Sequence, residues 1–293
     1  MPTLQTSLRL SFRNILFPTD FSDASSAALP FAQAFARIYG ARIFVAHAVT
    51  THPRIFLPME PVPLALDGEW CDAQGRLRDF LDCDALRGTL HEGVTEHGEL
   101  WNVLDDVIHR HDIDLIILGS HGKHGLKKLV LGSDAEQIFR KSHCPVLTIG
   151  PRVAPPTESS AFRNIVFATD FSTGSLHALP YALSLAEENQ AHLILLHVIP
   201  LVPLQHQESV ATNAGTRLGE LLPKGASDWC RPECVVRFEF PTEGILHLAR
   251  EQNVDLIVMG VHKGTPFASV HLPWAIAYEV VCEAPCPVLT VRD

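Results

Sequence analysis

Short, uniformly apolar runs alternate along this chain with longer stretches in which apolar residues recur every three or four positions. "NILFPTDF" from Asn14, "ARIFVAHAV" from Ala41, "IDLIILG" from Ile113 and "PVLTIG" from Pro145 are too short for helices and carry no polar face. They predict strands buried on both sides. After the first, Ala27, Leu29, Pro30, Phe31, Ala34, Phe35 and Ile38 fall at helical spacing, with Ser22 or Asp23 as the cap and Pro30 expected near the first turn. "LDGEWCDAQGRLRDFLDC" predicts a helix, "LHEGV" a third strand, and Leu100, Val103, Leu104, Val107 and Ile108 an amphipathic helix. "SDAEQIFRKS" predicts the helix before the last strand. Strand and helix alternate with doubly buried strands, so the expectation is a parallel sheet with helices on both faces.

The pattern then repeats. "RNILFPTDFSDASSAALPFAQAFARIYGARIFVAHAV" from Arg13 returns, ungapped at an offset of 150, as "RNIVFATDFSTGSLHALPYALSLAEENQAHLILLHVI" from Arg163. "DIDLIILG" returns as "NVDLIVMG" and "CPVLTI" as "CPVLTV". Such internal similarity means one unit written twice. The fold class expected is α/β, with two repeated doubly wound domains, each a mostly parallel five-stranded sheet with helices on both faces. The first domain is read as residues 1–152, a Pro/Ser-rich linker as 153–161, and the second domain as 162–293. "THPRIFLPMEPVPLALDG", after the second strand, reads as a long irregular loop or lid.

Composition narrows the function. With 293 residues, 46% of them hydrophobic, the chain can bury two cores. A net charge of −10 argues against a nucleic-acid binder, which needs a basic face, so any anion site has to be local. No apolar run reaches the roughly 20 residues that cross a bilayer, and the expectation is a soluble, cytoplasmic protein with no membrane partner. The opening "MPTLQTSLRLSF" reads as a lead-in to the first strand. Seven cysteines, an odd number, fit a reducing compartment, and Cys230/Cys234 and Cys282/Cys286 are read as structural thiols rather than metal ligands.

The chemistry concentrates in "LGSHGKHGLKKLVLGSD", Leu118–Asp134. Gly119 and Gly122 allow a tight turn whose amides can face an anion, and Gly132-Ser133 opens a helix with unpaired N–H groups and a positive dipole end. Lys123, Lys127 and Lys128 add positive potential to an acidic chain. Between Gly119 and His143, Arg140 and Lys141 bring the basic count to five, against Asp134 and Glu136. The loop is not a Walker A motif, because no G-K-[ST] triplet follows the glycines.

The G-x2-G-x9-G-S spacing, "PTDFS" after the first strand, "HAV" after the second and "CPVLTI" at the end together resemble the ATP-binding class of the universal stress protein family. The resemblance covers both repeats. It implies phosphates on Gly119, Gly122, Gly132 and Ser133, with His121 and Lys123 in the same loop. Asp20, preceded by Pro18 and Thr19, would lie beside the adenosine moiety, and Ala48 would present its backbone to the adenine edge. ATP is the implied cofactor, and Asp134 is a candidate to hold Mg2+ carried with it, or equally a helix-dipole carboxylate. His121 and His124 are read either as phosphate partners or as solvated loop residues, His47 and His197 as packing residues, and His109 and His111 as helix-end residues. Family members often pair through their last strands, so the resemblance implies that "PVLTIG" and "PVLTVRD" lie side by side in an intramolecular pseudo-dimer, with a further homodimer left open.

The second copy keeps Asp170 and Gly260 but not the rest. Lys263 stands for Gly122, and Gly132-Ser133 falls on Pro273-Trp274, give or take one position. From Gly260 to Glu283 only Lys263 is basic, against Glu279 and Glu283. This second site is expected to be filled in and degenerate, empty or holding something other than ATP. Three functions remain open. They are an ATP-binding regulatory module acting on an unidentified protein partner, a weak Mg-dependent ATPase or nucleotide-dependent transferase, and a ligand-free scaffold. Efficient turnover has no support in the sequence, and slow hydrolysis stays open.

Overall fold

A computed structural model describes residues 10–50, 64–120, 131–156, 162–200, 203–261 and 273–292. The first repeat runs β1 (Asn14–Pro18), α1 (Asp23–Tyr39), β2 (Arg42–Val49), α2 (Leu64–Leu81), β3 (His91–His97), α3 (Leu100–Arg110), β4 (Leu115–Gly119), α4 (Ser133–Lys141) and β5 (Val146–Ile149). The second runs β6 (Asn164–Ala168), α5 (Thr173–His177), α6 (Leu179–Asn189), β7 (His192–Ile199), α7 (Leu204–Glu220), β8 (Arg231–Phe238), α8 (Pro241–Glu251), β9 (Leu256–Val261), α9 (Pro273–Glu283) and β10 (Val288–Arg292). The α/β class and the alternation expected from sequence are both present.

Packing divides the chain into two compact units. Among the described residues, one lies within Phe12–Val146, and the other joins Leu10 and Ser11 to the residues from Leu147 onward. In the first, the strand order is β3-β2-β1-β4, with β2/β3, β1/β2 and β1/β4 parallel. In the second, it is β5-β10-β9-β6-β7-β8, with the β9/β10, β6/β9, β6/β7 and β7/β8 pairs parallel. The boundary therefore falls inside β5, whose residues from Leu147 pack with the second unit beside β10. Leu10 joins the same unit, its N–H donating to Ser184 Oγ at 2.9 Å.

Local chemistry explains the elements. Ser22 caps α1 by accepting the Ser25 N–H at 3.2 Å, and Gly40 ends it in the left-handed conformation at φ 64°. Pro30 corrects one expectation, because it lies inside α1 rather than in its first turn. The equivalent Pro180 has the larger effect, opening α6 after the short α5, since proline gives no N–H to the preceding turn. Ile15, Leu16 and Phe17 are consecutive and fully buried, as are Ile165, Val166 and Phe167, so both faces of these central strands are covered. The outer strands β3 and β8 carry mostly exposed or half-exposed residues instead.

In each repeat the first strand has its successors on one side and the fourth strand on the other. The connections leave the carboxyl ends of β1 and β4, and of β6 and β9, in opposite directions, and ligands of open α/β sheets bind in the crevice so formed. Among the described residues, no helix is long and apolar enough to cross a membrane.

Candidate functional site

The site is built first on the corner after β1. Thr19 is buried, and its N–H donates to the Ala46 carbonyl of β2 at 2.9 Å. Its Oγ1 accepts the Phe21 N–H at 2.9 Å and lies 3.0 Å from Ser25 Oγ, which in turn donates to the Ser22 carbonyl at 3.0 Å. The Thr19 hydroxyl is thereby the donor to Ser25, and both hydroxyls are satisfied. Phe21 adopts φ 59°, a left-handed conformation uncommon for a bulky residue and held by these bonds. Asp20 Oδ1 accepts the Ser22 N–H at 2.9 Å, which turns the chain into α1.

His47, near the end of β2, has Nδ1 2.8 Å from the Thr19 carbonyl. A carbonyl only accepts, so Nδ1 carries the proton and the ring pins the corner. Ala48 follows it, opposite Glu96 of β3 in the register. The ring of Phe21 packs 4.5 Å from that of His47, and the Arg76 guanidinium of α2 sits 4.5 Å from the Phe21 centroid.

Gly119, at the end of β4, has a packing reason to be glycine. A Cβ there would stand 2.2 Å from the Ala24 carbonyl oxygen, so only a bare backbone lets β4 lie against the start of α1. A Cβ on its counterpart Gly260 would stand 2.0 Å from the Gly174 carbonyl oxygen. Gly132 caps α4, and its N–H donates to the Ser120 carbonyl at 2.8 Å. That bond ties the positive end of α4 to the carboxyl end of β4. Ser133 and Asp134 are exposed on the first turn, with Ser133 Oγ donating to Asp134 Oδ1 at 3.2 Å.

Pro18, Thr19, Asp20, Ala48, Gly119, Gly132, Ser133 and Asp134 thus come from the carboxyl ends of β1, β2 and β4 and the start of α4. His121, Gly122 and Lys123, with His124, Lys127 and Lys128, lie outside the described residues. Two of the five basic residues do not serve the mouth of the site. Arg140 and Lys141 sit in the last turn of α4, and at 1.5 Å per residue Arg140 is about 10 Å along the axis from Ser133. Arg140 is also paired with Glu136 at 3.0 Å. Ser25, Ser120 and the pinning role of His47 were missed from sequence. The one usable signal was the spacing Thr19/Ser25, which recurs as Thr169/Ser175.

The second repeat reproduces the corner bond for bond. Thr169 Oγ1 lies 2.8 Å from Ser175 Oγ, the Ser172 N–H reaches Asp170 Oδ1 at 2.9 Å, and His197 Nδ1 lies 2.7 Å from the Thr169 carbonyl. Aligning Cys144-Pro145 with Cys286-Pro287 sets Gly132 against Trp274, Ser133 against Ala275 and Asp134 against Ile276. Lys263 and the side chain of Trp274, on which the expected filling-in rests, lie outside the described residues. A hollow of about 80 Å³ remains at the carboxyl ends of β6, β7 and β9. Its walls are mostly aliphatic, and the acid and glycine among them, Asp170 and Gly260, come from strand ends and not from the last helix.

The same architecture recurs in known proteins. The model of the universal stress protein family matches residues 11–150 and again 161–292. The chain belongs to the universal stress protein family. Universal stress protein MJ0531 of Methanocaldococcus jannaschii is 29% identical over 142 residues, 47% of this chain and 82% of its own. Universal stress protein A of Escherichia coli K12 is 25% identical over 146 residues, 48% of this chain and 95% of its own. Each such relative corresponds to one repeat. The crystal structure of a universal stress protein from Archaeoglobus fulgidus superposes with a TM-score of 0.72 at 20% identity, covering 95% of this chain and 98% of that one. That match extends the shared fold over nearly the whole tandem chain.

Proposed function

We propose that this universal stress protein binds ATP in its first repeat and uses occupancy to regulate association with a protein partner rather than to drive turnover. One observation carries the reading. The Gly132 N–H bond to the Ser120 carbonyl sets the N-terminus of α4 against the end of β4, and Asp20 follows the end of β1 on the other side of the switch point. A helix N-terminus in a switch-point crevice favours phosphate, and a carboxylate set apart from it suits ribose hydroxyls. Gly132 adds no side chain at the helix start, and the exposed first turn leaves room for an anion.

In this reading Gly119, His121, Gly122, Lys123, Gly132 and Ser133 hold the phosphates, Asp20 with Pro18 and Thr19 flanks the adenosine, and the Ala48 backbone meets the adenine edge. Asp134, exposed next to the Ser133 hydroxyl, is the residue that would hold Mg2+, which would neutralise phosphate charge. The proposal keeps domains at 1–152 and 162–293, joined by residues 153–161. The reading includes the intramolecular pseudo-dimer that the family resemblance implies. All seven cysteines are free thiols, which favours a reducing compartment such as the cytoplasm.

Calorimetry of the full chain with Mg·ATP tests the reading. One equivalent is expected, together with adenine nucleotide in mass spectra of the purified protein. No binding, or binding that survives Gly132→Trp, would refute the assignment. Turnover above roughly one per second, within the ordinary enzyme range, would replace the regulatory reading with an enzymatic one.

A further inference from the structure

The hollow of the second repeat has its own chemistry. Ala168, Leu196, Val198, Ile245, Met259 and Ile276 wall it, from β6, β7, α8, β9 and α9. Its polar lining residues are Thr169, Ser175 and Asp170. The two hydroxyls are already committed. Thr169 Oγ1 accepts the Phe171 N–H at 2.9 Å and donates to Ser175 Oγ, which donates to the Ser172 carbonyl at 3.0 Å. Satisfied groups do not call for an ordered water, so a hollow lined this way favours hydrocarbon.

Two substitutions relative to the first repeat build these walls. Ile276 takes the place of Asp134, turning the first turn of the last helix from acidic to aliphatic. Val198 takes the place of Ala48, and space for it comes from Gly244 on α8, where a Cβ would stand 2.7 Å from Val198 Cγ1. The first repeat has the reverse pair, Ala48 with Val103, so bulk has moved from the helix to the wall of the hollow. Asp170 is exposed at the corner, and its carboxylate favours a neutral hydrogen-bond donor over a second anion.

We propose that this hollow is a separate binding site for a short, uncharged alkyl compound with a hydroxyl or amide head. At about 80 Å³ it is roughly half the size of a cavity that admits benzene, so it takes a chain of a few carbons and not a nucleoside. The inference does not depend on nucleotide binding in the first repeat.

Methionine composition makes the test direct. Met1, Met59 and Met259 are the three methionines, and Met259 lines the hollow. The full chain labelled at its methionine methyls is titrated with 1-propanol, whose three carbons match the hollow, and, separately, with propanoate and with Mg·ATP. The Met259 signal should shift saturably with propanol, with a Kd on the order of 10 mM for so few atoms, and several-fold more weakly with propanoate. Mg·ATP should leave propanol bound. Ile276→Asp, which restores the acid of the first repeat, should weaken propanol on the order of tenfold while the Met1 and Met59 signals stay in place. Asp170→Asn should remove the preference for propanol over propanoate. A Met259 signal unmoved by propanol, displacement of propanol by Mg·ATP, or unchanged affinity in Ile276→Asp would each overturn the proposal.

Discussion

After β1 and after β6 the chain makes the same turn with the same bonds, threonine to serine, aspartate to the helix entry, histidine to the threonine carbonyl. The two repeats then part at the start of their last helix, Gly132-Ser133-Asp134 against Trp274-Ala275-Ile276. The comparison separates folding from binding. Asp20/Asp170 and Gly119/Gly260 recur in both repeats and have a structural role that stands without a ligand. What differs is what sets the chemistry of the two sites apart.

The largest effect should come from the shared glycines. Gly119→Ala and Gly260→Ala each drive a Cβ into a backbone carbonyl at 2.2 and 2.0 Å, with no flexible side chain to move aside. Each should cost about 3 kcal/mol or more in denaturant unfolding, or prevent folding. A mild effect at Gly119 with a severe one at Gly260 would mean that the first glycine serves the ligand alone. Gly132→Trp, which imitates Trp274, comes next. It should weaken ATP by at least about a hundredfold, close to 2.7 kcal/mol, with little change in the unfolding midpoint.

An effect smaller per pH unit concerns the equivalent thiols Cys144 and Cys286. Burial, reinforced by Asp114 and then Asp105, pushes the Cys144 thiol up to about 11, and burial with Asp255 pushes Cys286 up to about 12, from an ordinary 9.0. In the unfolded chain both ionise near pH 9 while the native thiols stay protonated, so the unfolded state binds fewer protons and stability falls as pH rises. The loss should be about 1.4 kcal/mol per pH unit for each thiol, from about pH 9 until its native pKa is reached. Unfolding curves of Cys286→Ala should recover part of that slope, and Cys144→Ala should recover it over a narrower range. The smallest difference should be between Arg76→Ala and Arg217→Ala. Each loses a guanidinium from a phenylalanine face, at 4.5 and 3.9 Å, which costs about 0.5–1 kcal/mol in thermal unfolding.

Much of the fold was legible because doubly buried strands leave an unbroken apolar signature and the duplication confirms it. Ser22 was readable as a cap because its hydroxyl acts within three residues. Pro30 was misplaced because a helix tolerates an interior proline when tertiary packing holds it, and spacing alone does not reveal that. The packing role of Gly119 was not readable, since its neighbour Ala24 is far away in sequence. The count of five basic residues overstated the potential at the site for a similar reason. Helix geometry sends Arg140 and Lys141 to the far end of α4.

The amino-acid sequence by itself determined the duplication, the α/β class, the order of elements and the loss of the helix-opening glycine in the second copy, because these follow from local periodicity and from residue identity. Only the tertiary structure decided that Gly119 meets the Ala24 carbonyl, that Thr19 and Ser25 exhaust each other's hydrogen bonds, and that the second repeat keeps an aliphatic hollow. Those outcomes depend on which distant backbones and side chains meet, and no local pattern carries that information.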